Sequence, residues 1–323
     1  MSRQSSSSLV SRLFGKAKTV DFISIILAYV VIVVFFAFSS EYFFSVRNFL
    51  NIGMYASIIG ISACGMTLVL VSGHIDLSVG SIMALSGMVL GKMIPETGSV
   101  LPYFILALVV AGIAGAINGL LITKVKVNAF ITTIATMQIF RGISYILSKS
   151  KTITIPNPGL KWIGRGYTLG IPNALLLFVL FVVLFYYISR YTIFGRRLYV
   201  IGGNAQAAYL SGIHVSRIIL LVYIINGLAA GVSGTILSSQ IGAAMPQSGS
   251  GIEFEVISAV ILGGTSLSGG KGSLIGTFIG GLLLATLNNG MVMLNIPSYW
   301  QSVIIGVVLV FAVSFDVIKN RRR

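Results

Sequence analysis

Residues 48–75 read NFLNIGMYASIIGISACGMTLVLVSGHI. All 28 lack Lys, Arg, Asp and Glu, and a membrane helix needs about 20 mostly apolar residues. The pattern repeats along the chain: uncharged runs also cover 22–40, 77–91, 97–123, 166–189, 218–252 and 272–315. The 323 residues are 56% hydrophobic and 9% charged, against about 45–50% and about 25% in soluble globular domains. So little charge cannot clothe a water-facing surface, which excludes a soluble enzyme. A single cysteine, Cys64, excludes an internal disulfide and a Cys-rich metal site. Two histidines and seven acids leave few groups for acid–base or metal chemistry, and no cofactor is expected.

Some runs are too long for one crossing. Asn288-Asn289-Gly290 and Ile296-Pro297-Ser298 read as a turn splitting the last run. Ten segments result, at about 22–39, 52–71, 76–93, 101–122, 128–148, 173–189, 216–238, 251–263, 273–289 and 299–315, the one at 251–263 short enough for a partial or tilted span. The expected fold is an all-α polytopic membrane protein of about ten transmembrane helices, one domain over 1–323.

The net charge of +15 could suggest a nucleic-acid partner, but the bases fall in short clusters between apolar runs, as in cytoplasmic loops. With the N-terminus inside, the inner loops and tails hold fifteen Lys and Arg and the outer loops six. That places both termini in the cytoplasm. Residues 1–21, with Arg3, Arg12, Lys16 and Lys18, read as a cytoplasmic tail; no short apolar core with a small-residue cleavage site marks a signal peptide.

Two stretches match at an offset of 177: IDLSVGSIMALSG at 75–87 and IEFEVISAVILGG at 252–264. Asp76 aligns with Glu253, Val79 with Val256, Ser81 with Ser258 and Gly87 with Gly264, and Asn118-Gly119 echoes Asn289-Gly290. By the orientation above, Asp76 starts a helix at the inner face and Glu253 at the outer one. This predicts inverted repeats over 52–148 and 216–315, an architecture of many transporters.

Asp76, Glu253 and Glu255 each allow two readings. They cap a helix N-terminus, or they serve transport as ionisable groups at membrane depth. Arg141 either snorkels to the outer interface or pairs with a carboxylate of the other repeat. Tyr42, Phe43, Phe44, Trp162, Tyr167 and Trp300 are expected as interface anchors. The small-residue stripes at Ala111–Ala116 and Gly227–Gly234 allow close helix packing.

The Gly-rich stretch 263–273 fails as a phosphate loop: Thr265 stands where the first glycine is required, and Gly272 where Ser or Thr is. The chain therefore does not itself hydrolyse ATP. Residues 198–214 are uncharged, yet flanked by Arg196, Arg197 and Arg217. Asn204 as N-cap, an Ala-rich turn and Gly212 as stop predict a short cytoplasmic helix, a docking surface for a protein or an ordinary interface helix.

These residues resemble the ribose-type membrane permeases of bacterial sugar ABC importers over nearly the full chain. The resemblance is carried by Gly65-Met66-Thr67, Ser72 to Ser81, Arg141-Gly142, Gly202-Gly203-Asn204 with Ala207-Ala208 and Leu210 to Ile213, and Leu262 to Leu267 with Gly269 to Gly272. His74 stands where the family usually has glycine, and Ala205 near a frequent acidic residue. The resemblance implies a non-catalytic subunit, two copies of which form the pore in the bilayer. Two ATP-binding halves, often fused, dock beneath, and a periplasmic or lipid-tethered binding protein delivers a monosaccharide. Gly203, Asn204, Ala207, Ala208, Leu210, Ser211 and Gly212 would form the coupling helix, where bulk at Gly203 or Ala208 should uncouple the ATPase. Ser72, Asp76, Ser78, Asn118, Asn226, Glu253, Asn288 and Asn289 are candidate pathway groups. Two alternatives compete: an ion-coupled secondary transporter of a small polar solute, and a membrane enzyme acting on lipid-linked sugars, for which a third metal ligand beside His74 and Asp76 is missing.

Overall fold

The computed structural model describes residues 9–321, with side chains over 23–314 and 316–318. Thirteen helices occur among the described residues: α1 (Leu9–Ser39), α2 (Val46–Val71), α3 (Val79–Met93), α4 (Leu101–Leu120, ending in a π-helical turn, Leu121–Val125), α5 (Ala129–Ser148), α6 (Pro158–Arg165), α7 (Asn173–Tyr191), α8 (Ile193–Gly203), α9 (Ala205–Leu210), α10 (Val215–Ile241), α11 (Ile252–Leu262), α12 (Leu274–Met293) and α13 (Ser298–Arg321). Four two-residue strands make two antiparallel ribbons: β1 (Ile153–Thr154) with β4 (Ala243–Ala244), and β2 (Tyr167–Thr168) with β3 (Ile171–Pro172). Of the tail expected over 1–21, residues 1–8 lie outside the described residues and the rest is helical backbone of α1.

Each of the ten expected segments contains a helix, but not each helix is a span. Seven are long and apolar enough to cross a membrane. At 1.5 Å per residue, the 15 residues of α3 and the 11 of α11 fall well short of the roughly 30 Å hydrocarbon layer. Non-helical stretches precede both: 72–78 before α3 and 242–251 before α11.

Burial ranks the helices. The apolar window of α2 is 89% buried and that of α13 6%, so α2 is a core element and α13 a peripheral one. The central pair is α2 and α10, which pack on each other. Around it α10 contacts α4 and α3, and α2 contacts α12 and α11; α3 rests on α4 and α5, and α11 on α12 and α13. Exchanging α2 with α10, α3 with α11, α4 with α12 and α5 with α13 leaves this set of neighbours unchanged.

Small residues make these contacts close. The stripes at 111–116 and 227–234 pack on each other: a Cβ at Gly227 would lie 2.5 Å from the Ala111 carbonyl oxygen, and one at Gly231 2.6 Å from the Ala111 Cβ. Likewise Gly276 and Gly280 of α12 face the carbonyls of Gly263 and Ala259, leaving no room for a side chain. Without a hydrophobic drive between helices in lipid, such backbone approach is a main source of association.

Three expectations need correction. Asn288-Asn289-Gly290 does not break a helix; α12 continues to Met293 and the turn follows at 294–297. Gly290 is held inside it because a side chain there would collide with the Phe36 ring, and Asn288 spends its amide on another helix. Phe43 is not an interface anchor: it is fully buried and stacks on Phe36 at 5.6 Å, whereas Tyr42, Phe44, Trp162, Tyr167 and Trp300 are exposed. Finally, the starts of α3 and α11 do not lie at opposite faces. Gly80 of α3 abuts Gly249 and Glu253, so the two N-termini meet inside the bundle.

Candidate functional site

Three groupings carry the polar chemistry. The first is the segment 192–214. Thr192 caps α8, its Oγ1 accepting from Gly195 N at 3.1 Å. Asn204 caps α9 as expected, its Oδ1 accepting from Ala207 N at 2.9 Å. Gly212 ends it at φ +80°, with Ile213 N donating to Ala208 O at 3.1 Å, the left-handed stop that glycine favours. Residues 193–203, read from sequence as loop, are helical because the Thr192 cap starts a turn that Leu198 and Ile201 anchor in the core. On α9, Ala208 is fully buried, while Tyr209 and Leu210 are 70% and 78% exposed. Bulk at Ala208 would therefore strike the chain's own core; the free face is Tyr209 and Leu210.

Beneath this helix three distant segments are pinned together. Gly270 N donates to Val71 O at 2.9 Å, and Gly202 lies against that bond so closely that a Cβ would run into the Val71 oxygen. Tyr199 Oη donates to Gly272 O at 3.1 Å. Burial raises the Tyr199 phenol above its ordinary pKa, which keeps it protonated and a donor. Thus the end of α2, the end of α8 and the 263–273 turn form one junction.

The second grouping surrounds Asp76, which is fully buried. Its Oδ1 accepts from Ser78 N at 2.8 Å and Ser78 Oγ at 2.6 Å, tying down the start of α3. Its Oδ2 accepts from Asn226 Nδ2 of α10 at 2.8 Å. Asn118 Nδ2 of α4 donates to Ser78 Oγ at 2.8 Å, and Tyr223 Oη of α10 to Ile75 O at 2.9 Å. Asp76 is thus both a cap and a cross-link between helices. Of the predicted candidates, Asp76, Ser78, Asn118 and Asn226 come together here. Ser72 does not: its hydroxyl donates to Val69 O at 2.6 Å within its own turn.

The third grouping belongs to α11, whose first turn carries Glu253 and Glu255. Glu255 Oε2 accepts from Tyr55 Oη of α2 at 3.2 Å and from Asn288 Nδ2 of α12 at 3.1 Å. Ser78 and Glu255 are 177 residues apart, so an Asn on α4 serves one as an Asn on α12 serves the other. Asn289 stays apart from this cluster, with a buried carbonyl oxygen lacking a partner. Sequence reasoning missed Tyr55 and Tyr223; the available signal was a tyrosine within an apolar run, since a buried hydroxyl needs a partner.

Arg141 is claimed by the chain's own backbone. Its Nη1 donates to Pro246 O at 2.8 Å and Ser248 O at 2.6 Å, holding the stretch before α11. Among the described residues no group of three or more His, Cys, Asp or Glu could hold a metal ion.

Comparison with known proteins places this geometry. A family profile described as the permease component of the branched-chain amino acid transport system matches residues 48–313. The ribose import permease protein RbsC of Bacillus subtilis (strain 168) is 42% identical over 288 residues, covering 88% of this chain and 89% of that one. RbsC of Escherichia coli (strain K12) is 37% identical over 312 residues, covering 94% and 96%. The D-allose transport system permease protein AlsC of the same strain is 35% identical over 288 residues, covering 89% and 88%. No solved structure matches the chain. With permeases for ribose and D-allose as its relatives and several helices long and apolar enough to cross a membrane, the chain belongs to the family of multi-pass inner-membrane permease components of ABC importers.

Proposed function

We propose that the chain forms the pathway by which a monosaccharide, ribose or a similar pentose or hexose, is imported at the expense of ATP hydrolysed by a partner. What carries this reading is the junction at Gly202: an exposed short helix, α9, stands on a joint tied to the end of α2 and to the turn after α11. A displacement of α9 by a nucleotide-driven partner would be felt in both halves of the chain. The relatives' names, which include a ribose, an allose and an L-arabinose permease, favour a sugar over a branched-chain amino acid, and favour an ATP-driven importer over an ion-coupled carrier. The working assembly is two copies of the chain, an ATPase with two nucleotide-binding halves, often fused, and a binding protein outside.

Ten crossings are counted in this reading, with 72–78 plus α3, and 242–251 plus α11, each making one. Both termini then face the cytoplasm, as does the segment 198–214. The matched neighbours of α2 to α5 and α10 to α13 support inverted repeats over 52–148 and 216–315. Asp76, Ser78, Asn118 and Asn226 are then repeat counterparts of the groups on α11, α12 and α2, near the middle of the membrane where such transporters place their pathway.

In liposomes containing the chain, its ATPase and its binding protein, radiolabelled ribose should accumulate with ATP and stop when the ATPase is omitted. Accumulation without the ATPase would overturn the reading, as would a map placing 203–213 on the outer face. Leu210→Asp should lower sugar-stimulated ATP hydrolysis about tenfold, as loss of an apolar interface anchor does, with unchanged chain in the membrane. Wild-type stimulation in that variant would remove α9 from the interface.

A further inference from the structure

A cavity of about 210 Å³ opens between α5 and the approach to α11, lined by Gln138, Arg141, Tyr145, Gln247, Ser250 and Glu253. It is smaller than the roughly 300–1,000 Å³ of drug-sized sites, which suits a small solute. Its position is fixed by two contacts. Ala244 lies beside Gly91 and Gly249 beside Gly80, so the lining stretch descends along α3 by eleven residues, about 16 Å of helix rise.

Lipid cannot be the neighbour of this opening. Gln138, Gln247 and Ser250 are exposed there, and irregular backbone at membrane depth persists only inside protein or beside water. The wall is rigid where it matters. Arg141 is fixed by two carbonyls through Nη1, one nitrogen of a group with five N–H donors. Glu253 is 7% exposed and lines the cavity, with its Oε2 buried against Gly80. One guanidinium, one carboxylate, two amides and two hydroxyls present donors and acceptors with no net charge.

Hydroxyl groups both donate and accept, and so match this mixture as no simple ion does. We propose that this cavity is a contact site for the hydroxyls of a neutral polyhydroxy solute in transit, Glu253 accepting and Arg141, Gln138 and Gln247 donating. The proposal rests on the sugar-importer reading and gives it a place of contact.

The test uses the complete reconstituted complex and ribose, L-arabinose or allose, whichever the wild type takes up. Glu253→Gln and Gln138→Leu should each lower the sugar moved per ATP hydrolysed by about tenfold, the loss of one hydrogen bond to a charged or positioned group. An unchanged ratio overturns the proposal, whether or not the absolute rates fall. Independently, Gln138→Cys should react with a membrane-impermeant thiol reagent, the native Cys64 being fully buried, and the transported sugar should slow that reaction. A silent thiol, or one shielded by leucine and not by sugar, overturns it too. Absence of any ATP-dependent sugar uptake by the wild type sinks the functional reading instead, and the labelling still reports on the cavity.

Discussion

Gly202→Ala should leave the chain in the membrane yet lower sugar-stimulated ATP hydrolysis and uptake at least about tenfold, because overpacking of this kind typically costs about 1–3 kcal/mol. The added methyl would be driven into the Val71 carbonyl oxygen and lie 2.5 Å from Gly270 N. These two atoms form the bond that pins the junction, so relief of the clash must spread the three segments. The neighbouring position is an internal control. A Cβ at Gly203 meets nothing of this chain within 4 Å, so Gly203→Ala should leave the junction unspread and cost far less activity than Gly202→Ala. ATPase and uptake assays on the two variants side by side check the point; equal activity would mean that the joint tolerates spreading and does not transmit motion.

Asp76→Ala should be the most damaging single change to stability. It strips partners from Ser78 N, Ser78 Oγ and Asn226 Nδ2, all in fully buried residues. At about 1–3 kcal/mol for each buried group left unpaired, a loss of roughly 3–5 kcal/mol is expected, read as a lower thermal midpoint of the purified complex and a smaller folded yield. Asp76→Asn should cost far less. It keeps the acceptor facing Ser78, and the Asn226 amide can turn so that its Oδ1, now buried without a partner, accepts from the new amide. A folded Asp76→Asn variant that transports normally assigns Asp76 to architecture. One that is folded and inactive assigns its charge to transport. Severe unfolding of Asp76→Asn would mean that the carboxylate itself holds the three helices.

Much of this was legible before any coordinates. Uncharged runs locate helices because lipid tolerates no other inventory, and Asn204 with Gly212 delimits α9 because cap chemistry is local. The stripes at 111–116 and 227–234 announced close packing, and they pack on each other. What stayed hidden depends on distant partners. Asn288-Asn289-Gly290 has the local signature of a turn, yet it stays helical with Gly290 against the Phe36 ring and Asn288 bonded to Glu255 and Tyr55. Ala208 and Leu210 look alike in an uncharged segment, yet one is core and the other surface. For Arg141 the sequence left snorkelling or a carboxylate partner; carbonyls 105 and 107 residues away hold it. The offset of 177 sets Asp76 against Glu253, but which acid takes which role, Glu253 in a cavity or Glu255 in a cluster, is decided by side chains of α2, α5 and α12.

The stretches at 72–78 and 242–251 have a mechanical meaning as well. A continuous helix resists bending because its ladder of bonds must stretch, whereas these two lengths of chain carry no such ladder. They are riveted seams between otherwise stiff beams, fastened by Asp76 and Tyr223 in the first and by Arg141 in the second. The second seam meets α3 just past the end of the first, where Gly249 lies against Gly80, so strain at one is passed to the other.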